Sequence, residues 1–243
     1  MDYKSIIDNC KVSNQLISMT PSEKIVELGY YLNLDPRKTL IDFCCGYGEM
    51  LRIWSDAYGI SGVGIELFND FVRKGNERIK ETSLEEQIKV INTDAKNYKD
   101  DTQYDVVCLS GEDLCGSLKD NIIFMERFLK PGGKLLIGTP YFTEKDVPNE
   151  LIEFEGHLNT LTEIYDIIRA QGYNLVYFST GNHHEWERYI SWSARRDLES
   201  MKQLNDPTEI SKKQEWIDYW FKMYFEYRRI YESWGMFVIE KVK

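Results

Sequence analysis

Residues 40–50, LIDFCCGYGEM, form an apolar run that ends in a turn with two glycines, followed by a helical pattern. Gly46 and Gly48 lack a Cβ, so the chain can turn sharply here and a ligand can contact the backbone at the start of the helix. Asp42 stands at the carboxyl end of the apolar run, where open α/β sheets bind ligands. This order of elements predicts the first strand, turn and helix of an α/β fold.

The same alternation continues along the chain. We expect helices at 47–57, 69–81, 118–129 and 160–171, and strands at 39–43, 62–66, 88–92, 104–109, 134–139, 173–179 and, after Gly235, 236–240. Strands that alternate with helices require right-handed crossovers and a parallel sheet. The chain is therefore expected to adopt an α/β fold with a single sheet.

Two further strand ends carry carboxylates. Glu66 closes the second strand, 18 residues after Gly48, where an acidic side chain can accept hydrogen bonds from both hydroxyls of a ribose. Asp94 follows the third strand, at the same edge of the sheet, where it could meet the amino group of an adenine. Together with Asp42, these side chains predict a site for a nucleotide-like cofactor.

Dinucleotide oxidoreductases share the glycine turn and the second acidic position, but their fingerprint needs a third glycine. Leu51 occupies that position here, and Glu49 places a negative charge in the first helical turn, which disfavours a pyrophosphate. S-adenosylmethionine has no phosphate, and its cationic sulfonium and ammonium groups tolerate Asp42 and Glu49. The sequence therefore favours S-adenosylmethionine over NAD.

Five segments in order resemble a class I S-adenosylmethionine-dependent methyltransferase: DFCCGYG, the acidic Glu66, Asp94-Ala95, YDVVCLSG and LKPGGKLLIGTPYF. The resemblance covers roughly residues 20–180. It is closest to uncharacterised bacterial small-molecule methyltransferases, which share a segment like TPSEK and a tryptophan-rich tail. It implies a Rossmann-like, seven-stranded, mostly parallel sheet with helices on both faces and the last strand antiparallel between the fifth and sixth.

The predicted cofactor-binding residues are Asp42, Cys44, Gly46, Gly48, Glu66, Leu67, Asp94, Ala95 and Ser110. Cys44 stands where the family commonly has glycine, and because a thiol is small we expect this departure to be tolerated. Some quinone-ring methyltransferases are similar in carrying a Cys-Cys-Gly run. A nucleophilic role for Cys44 or Cys45 is disfavoured, since no histidine lies near them in sequence.

Methyl transfer from a sulfonium is an in-line displacement, and some acceptors also need a base. Glu112 and then Asp113, directly after the fourth strand, are the first candidates, although either could instead cap the next helix. His157 is a further candidate base. Candidate substrate contacts are Tyr141, Trp186, Tyr189 and Trp220, each of which could equally be core. No spacing matches a metal triad, so no metal site is predicted.

We expect one domain over residues 1–243: an N-terminal helical cap (1–35), a cofactor-binding core (36–182), a helical lid (183–234) and the last strand (235–243). Thr20-Pro21-Ser22-Glu23 reads as a capping box with proline at the first helical position. Pro207 should divide the lid into at least two helices. Residues 141–157 are expected to form a loop with a short helix.

The amino-acid composition limits the classes of binding partner that we expect. The formal net charge is −10, and clustered Lys/Arg is missing, which disfavours nucleic acid and acidic membranes. Arg228-Arg229 is interpreted as a solvated face or as ion pairs with nearby Glu. The absence of a secretory signal, of long apolar runs and of a C-x-x-C pair predicts a cytoplasmic protein without disulfides. Surplus aromatic side chains could line a pocket or a dimer contact, so monomer and homodimer both stay open.

The sequence thus predicts S-adenosylmethionine-dependent methyl transfer to a small neutral or cationic molecule. Ring methylation of a quinone precursor is the alternative within the same enzyme class, although the acidic chain and the lid disfavour a lipid-anchored substrate. A non-catalytic S-adenosylmethionine-binding protein is a further alternative.

Overall fold

The computed structural model describes residues 16–111 and 113–242, whose strands form one sheet in the order β3-β2-β1-β4-β5-β7-β6. Pairing is parallel from β3 to β5, and β7 runs antiparallel between β5 and β6. The expected seven-stranded, mostly parallel sheet is confirmed. The strands are β1 (Thr39–Phe43), β2 (Ser61–Glu66), β3 (Ile88–Asn92), β4 (Tyr104–Ser110), β5 (Leu129–Phe142), β6 (Tyr173–Thr180) and β7 (Glu232–Lys241).

The helices follow the strands as the sequence pattern predicts. A 3₁₀ turn (Ala95–Asn97) follows β3, and a π-helical turn (Tyr224–Arg228) precedes the last helix. None of the helices in the described ranges is long and apolar enough to span a bilayer. The helices are α1 (Ser22–Tyr31), α2 (Glu49–Tyr58), α3 (Asn69–Glu81), α4 (Leu118–Glu126), α5 (Asn149–Glu155), α6 (Leu161–Ala170), α7 (His183–Met201), α8 (Pro207–Met223) and α9 (Arg229–Tyr231).

Two apolar cores cover the two faces of the sheet. Leu40 belongs to one core and Ile41 to the other, because successive side chains of a strand point to opposite faces. Trp54 of α2 is fully buried in the first core, and Ile168 of α6 in the second. Burying the central strands on both sides leaves their carboxyl ends as the accessible edge of the sheet.

Two strands are longer than the pattern predicts. The last strand begins at Glu232, and Gly235 lies inside it, opposite Thr139 of β5 and Thr180 of β6. A Cβ on Gly235 would lie 2.5 Å from Cζ of Phe237, so this glycine makes room for a ring in the same strand. The expectation that Gly235 precedes the strand is therefore wrong.

The helix caps also differ from expectation. The first turn of α1 has Pro21 as its N-cap and no side-chain cap, so the capping box predicted at Thr20 is absent. The Thr20 hydroxyl instead accepts a hydrogen bond from Nε1 of Trp234 at 3.0 Å. Capping boxes do occur at the starts of α6 and α7, where Thr160 pairs with Glu163 and Asn182 with Glu185.

Two insertions add helices between the last three strands, as predicted. The short helix α5 lies between β5 and β6, and α7 and α8 lie between β6 and β7 with a break before Pro207. Arg188 of α7 donates to the backbone carbonyls of Ser18 and Met19 at 3.2 and 3.4 Å. The second insertion is thereby tied to the segment that precedes α1.

Candidate active site

A cavity of about 590 Å³, here called the first cavity, opens at the carboxyl ends of β1, β2 and β4. Residues 16–19 cover it from the amino-terminal side of α1. Of the predicted cofactor residues, Gly48 does not line it; those that do are Asp42, Cys44, Gly46, Glu66, Leu67, Asp94, Ala95 and Ser110. Side chains from separate strand ends are thus brought together as expected.

The turn after β1 owes its shape to three residues with positive φ: Cys44 (+56°), Gly46 (+58°) and Gly48 (+69°). A Cβ on Gly46 would lie 3.3 Å from Cδ1 of Ile17, which covers the cavity, so this position keeps the backbone accessible. A Cβ on Gly48 would lie 2.7 Å from Cγ2 of Val90. Gly48 therefore allows close packing of the turn on β3.

Cys44 departs from glycine in a conformation that disfavours side chains. A residue with a Cβ in the left-handed region is destabilised by about 1 to 2 kcal/mol. The expectation that the small thiol is tolerated at this position did not include this cost of the backbone angle. The neighbouring Cys45 does not have this strained backbone angle. Its thiol has space because of Gly64, where a Cβ would lie 2.5 Å from Sγ of Cys45.

Asp42 is buried, and neither of its carboxylate oxygens has a hydrogen-bond partner among the described residues. Burial, and then the nearby charge of Glu66, raise the pKa of Asp42 from 3.8 to about 7. An unpartnered buried carboxylate is rare in proteins because it loses its hydration without compensation. Asp42 also lines the first cavity, so a cationic ligand group there would supply the missing partner.

Glu66 is also buried, but it is fully oriented by the backbone. Its Oε2 accepts from the amide of Gly46, and its Oε1 accepts from the amide of Phe68, both at 2.9 Å. Each carboxylate oxygen keeps a second lone pair. Glu66 therefore holds the glycine turn in place and still offers acceptors to the cavity.

The far end of the first cavity combines a polar rim with apolar surface. Asp94 caps the 3₁₀ turn, accepting from the amide of Lys96 and from Nδ2 of Asn97 at 2.9 Å each. Leu67 and Phe68 line the cavity although each is about 60% exposed, at 59% and 61%. These exposed apolar side chains and the neighbouring carboxylate of Asp94 would suit a flat ring with a polar edge.

A second cavity of about 520 Å³ adjoins the first. The two share Met19, Gly111, Tyr189 and Trp234 in their linings. The ring of Trp234 has room because of Gly138 in β5, which pairs with Met236; a Cβ on Gly138 would lie 2.8 Å from Cζ2 of that ring. Neither Trp234 nor Gly138 was predicted from the sequence, since their proximity depends on the antiparallel pairing of β7 with β5.

Residues 13–229 match the family model described as mycolic acid cyclopropane synthetase. The chain belongs to this family. It is a class I S-adenosylmethionine-dependent methyltransferase, as the sequence resemblance predicts, and its cofactor is S-adenosylmethionine.

Similar proteins come from several organisms. Uncharacterized protein YjhP of Escherichia coli (strain K12) is 27% identical over 248 residues, which span 98% of this chain and 99% of that protein. A methyltransferase structure from Geobacter sulfurreducens, in complex with S-adenosyl-L-homocysteine, is 25% identical with a TM-score of 0.85, covering 90% of this chain and 91% of that one. Phosphoethanolamine N-methyltransferase 2 of Caenorhabditis elegans is 30% identical over 146 residues, 57% of this chain and 33% of that protein.

The first cavity of this methyltransferase fits its cofactor. S-adenosylmethionine has an ammonium group, a ribose with two hydroxyls and an adenine. The cavity contains an unpartnered buried carboxylate at Asp42, oriented acceptors at Glu66 and an apolar surface at Leu67 and Phe68. The donors and acceptors of the cofactor thus have complementary groups in the residues present.

Of the predicted catalytic residues, the structure describes Asp113 and His157 and does not bring these two together. Glu112 lies outside the described residues. Asp113 lines the first cavity, and its Oδ1 accepts from Nδ2 of Asn121 at 3.3 Å. His157 is exposed and does not line either cavity; its ring lies 6.4 Å from that of Phe142. Of these three, Asp113 alone is placed beside the cofactor cavity by the described structure.

The four predicted substrate residues separate into two pairs. Tyr189 lines both cavities and Trp220 lines the second. Tyr141 is buried in the core beneath α6, and Trp186 is buried with its ring 5.2 Å from the guanidinium of Arg228. Tyr141 and Trp186 therefore have packing roles and do not line either cavity.

Two thiols at this edge of the sheet are disfavoured as nucleophiles. Burial raises the pKa of Cys45 and of Cys108 well above the ordinary value, which favours the protonated thiol. Within residues 16–111 and 113–242, no three His, Cys, Asp or Glu side chains converge in a metal-binding group.

Of the two sequence interpretations of Arg228, the ion pair with a nearby Glu is confirmed and the solvated face is wrong. Arg228 is bonded to a nearby Glu as expected, with Nε donating to Oε2 of Glu232 at 2.7 Å and Nη2 to Oε1 at 3.0 Å. Its side chain is only 8% exposed, because the second insertion and α5 pack around it. In the sequence, the only signal for this pair is the spacing of four residues between Arg228 and Glu232.

Proposed function

We propose that this methyltransferase transfers the methyl group of S-adenosylmethionine to a small molecule held in the second cavity. The observation that carries the proposal is that the two cavities adjoin, sharing a wall formed by Met19, Gly111, Tyr189 and Trp234. A donor in the first cavity and an acceptor in the second would therefore lie next to each other.

We assign the cofactor contacts as follows. Asp42 would pair with the ammonium group of the amino acid end, which supplies the partner that its oxygens lack. Glu66 would accept from the ribose hydroxyls, since both of its oxygens are already oriented by backbone amides. Leu67, Asp94 and Ala95 would surround the adenine. These assignments agree with the cavity lining and remain proposals.

Methyl transfer requires mainly that the acceptor atom is correctly positioned. In an in-line displacement, the acceptor atom forms its bond to the methyl carbon while the carbon–sulfur bond breaks, and the electron pair stays on sulfur. Holding the acceptor close to collinear with that bond supplies much of the rate. Ser110, the last residue of β4, and Asp113 line the first cavity on either side of Gly111, which lines both cavities, and Asp113 could take a proton from the acceptor.

The size of the second cavity supports a small acceptor. A volume of about 520 Å³ is in the range of sites for small molecules. The named activity of one relative, a phosphoethanolamine N-methyltransferase, agrees with an acceptor of this size, although that match covers only 33% of the relative.

Methyl transfer can be tested with a labelled cofactor. The protein is incubated with S-adenosylmethionine carrying a radioactive methyl group and a metabolite extract, and labelled products are separated by size. We expect label in molecules below about 1 kDa, the size that fits a cavity of this volume. Label in nucleic acid or protein, or no label despite cofactor binding, contradicts the proposal.

The proposed role of Glu66 predicts a loss of cofactor affinity on substitution. Glu66→Ala strands the ribose hydroxyls and the Gly46 and Phe68 amides, so binding of S-adenosylhomocysteine should weaken by about 1 to 3 kcal/mol in calorimetry. Glu86→Ala, at an exposed position before β3, is the matched control and should bind normally. Unchanged binding by Glu66→Ala would exclude the ribose contact.

A further inference from the structure

The second cavity has an unusual combination of charge and aromatic surface. Its lining contains three carboxylates, those of Glu153, Glu155 and Glu232, and a single cationic side chain, Arg228. The remaining wall is mainly aromatic, formed by Phe154, Tyr189, Trp216, Tyr219, Trp220 and Trp234. Carboxylates beside electron-rich ring faces attract cations and repel anions.

The one cation in the lining is already paired. Arg228 donates to both oxygens of Glu232 and lies 3.0 Å from Oε1 of Glu155. Its guanidinium also lies over the rings of Trp186 and Trp220, at 5.2 and 5.3 Å. An anionic ligand would have to displace a carboxylate from this group, so Arg228 is poorly suited to bind an anion.

The two carboxylates on Arg228 are not equivalent. The Glu232 side chain is 1% exposed and makes two hydrogen bonds to the guanidinium, whereas the Glu155 side chain is 19% exposed and makes one contact. Burial, and then the charge of Glu232, raise the pKa of Glu155 to about 7 despite the neighbouring guanidinium. Glu155 is therefore the carboxylate that would gain most from a second cationic partner.

Phe154, next to Glu155, lies 5.7 Å from the Arg228 guanidinium, whereas Trp216 and Tyr219 are not among the rings that this guanidinium covers in the described residues. Phe154 lies 6.4 Å from Trp216 and 5.5 Å from Tyr219 between ring centroids. Trp216 is 54% exposed and Tyr219 is 46% exposed, so both keep ring surface available to a ligand. Exposed aromatic rings grouped beside a carboxylate are the arrangement that proteins use to recognise organic ammonium groups.

We infer that the second cavity binds a small organic cation, an amine, with Glu155 and the rings of Phe154, Trp216 and Tyr219 as its recognition group. The inference rests on the proposed function and specifies its acceptor class. An amine that enters protonated first releases one proton to water; its nitrogen lone pair then bonds to the methyl carbon as the carbon–sulfur bond breaks. The positive charge thereby moves from sulfur to nitrogen, and the product is a methylated ammonium.

A pair of probes with the same shape isolates the effect of charge. Choline carries a quaternary ammonium, and 3,3-dimethylbutan-1-ol has a neutral carbon in its place. Both are titrated by calorimetry into the protein saturated with S-adenosylhomocysteine. We expect choline to bind at least about tenfold more tightly, which corresponds to the usual strength of a partly desolvated cation on aromatic rings.

The variant Glu155→Gln keeps the size of the side chain and leaves the Arg228–Glu232 pair intact, so the fold should survive. It should reduce the preference for choline to less than about threefold while leaving S-adenosylhomocysteine binding unchanged. Glu150→Gln is the matched control, because Glu150 lies on the same helix, is exposed and does not line the cavity. This control should keep the full preference.

The outcomes separate the two proposals. Equal binding of choline and its neutral isostere, or a preference that survives Glu155→Gln, overturns the amine inference. Sorting the labelled products by cation exchange gives a second test: label in the retained, cationic fraction supports the inference. Label in neutral or anionic products overturns it and leaves methyl transfer to a small molecule standing, whereas a protein that fails to bind S-adenosylhomocysteine contradicts the proposed function itself.

Discussion

Asp42 couples the stability of the fold to pH. Its pKa of about 7 lies well above the value of 3.8 for an ordinary aspartate, because of burial and then the charge of Glu66. Between about pH 4 and about pH 7 the unfolded chain has released this proton while the folded chain retains it. The stabilisation from protonated Asp42 is therefore fully present at low pH. The free energy of unfolding falls by about 4 kcal/mol as the pH rises to about 7, and above that pH Asp42 causes no further change.

Asp42→Asn should remove this pH dependence. Relative to wild type, the variant without cofactor should gain about 2 to 3 kcal/mol of stability between about pH 5 and about pH 8. Denaturant unfolding of both proteins at the two pH values measures the difference, in which the titration of all other groups cancels. Saturation with S-adenosylhomocysteine should reduce the gain, because its ammonium would stabilise the ionised Asp42. A gain that is the same at both pH values would contradict the assigned pKa.

Individual residues show where sequence reasoning reaches its limit. Asp42, Glu66 and Asp94 were predictable as cavity residues because each ends a strand, and parallel strands present their carboxyl ends at one edge. The positive φ of Cys44 was not predictable, since glycine is the usual sequence signal for such a backbone angle and this position has none. Trp234 was missed because its position depends on strand pairing across the sheet.

At the scale of elements, Arg228 joins parts of the chain that are distant in sequence. It lies in the π-helical turn after α8 and contacts Glu155 of α5, Trp186 of α7 and Glu232 at the start of β7. Such π-helical turns are frequent at functional sites. The second cavity therefore depends on one guanidinium for the relative positions of its walls.

A double-mutant cycle should reveal this coupling. Arg228→Met leaves Glu232 buried without its cation, and loss of one partner of a buried pair typically destabilises by about 3 to 5 kcal/mol. Adding Glu232→Gln removes the stranded charge, so the double variant should be more stable than the sum of the single effects predicts, by at least about 1 kcal/mol. Denaturant unfolding of the four proteins measures the coupling.

The chain offers a matched control pair on its surface. Arg73 and Glu77 of α3 are also four residues apart, at 2.9 Å, but their side chains are 52% and 58% exposed. Arg73→Met and Glu77→Gln should combine with a coupling below about 0.5 kcal/mol, because water screens the pair. Additive effects at Arg228 and Glu232 as well would show that burial does not strengthen their interaction.

Elements were predictable to the extent that their patterns are local. Periodicity gave the order and type of strands and helices through β6, since each buries an apolar stripe or face. The carboxyl end of β5 and the amino end of β7 were underestimated because their residues pair with each other, a contact between positions about 90 residues apart. The predicted cap at Thr20 failed for a similar reason, as its hydroxyl bonds to Trp234 instead.

At the scale of the whole molecule, the first cavity depends on contributions from both ends of the chain. Residues 16–19 cover it, and Arg188 and Trp234 hold that segment through hydrogen bonds to Ser18 and Thr20. The order of the strand-end motifs was sufficient to predict the cofactor class from sequence. The acceptor was not predictable, because α5, α8 and β7 supply the proposed acceptor cavity without any local motif.

Cofactor binding should therefore stabilise the whole fold and not a separate part of it. At a concentration 100 times its dissociation constant, S-adenosylhomocysteine should stabilise the folded state by about 2.7 kcal/mol. For a chain of this length, such a gain raises the melting temperature by roughly 5 to 10 °C. NAD should produce no comparable shift, because Leu51 replaces the third glycine and Glu49 lies in the first turn of α2. Thermal unfolding with each ligand makes the comparison, and a larger shift with NAD would contradict the reading of the glycine turn.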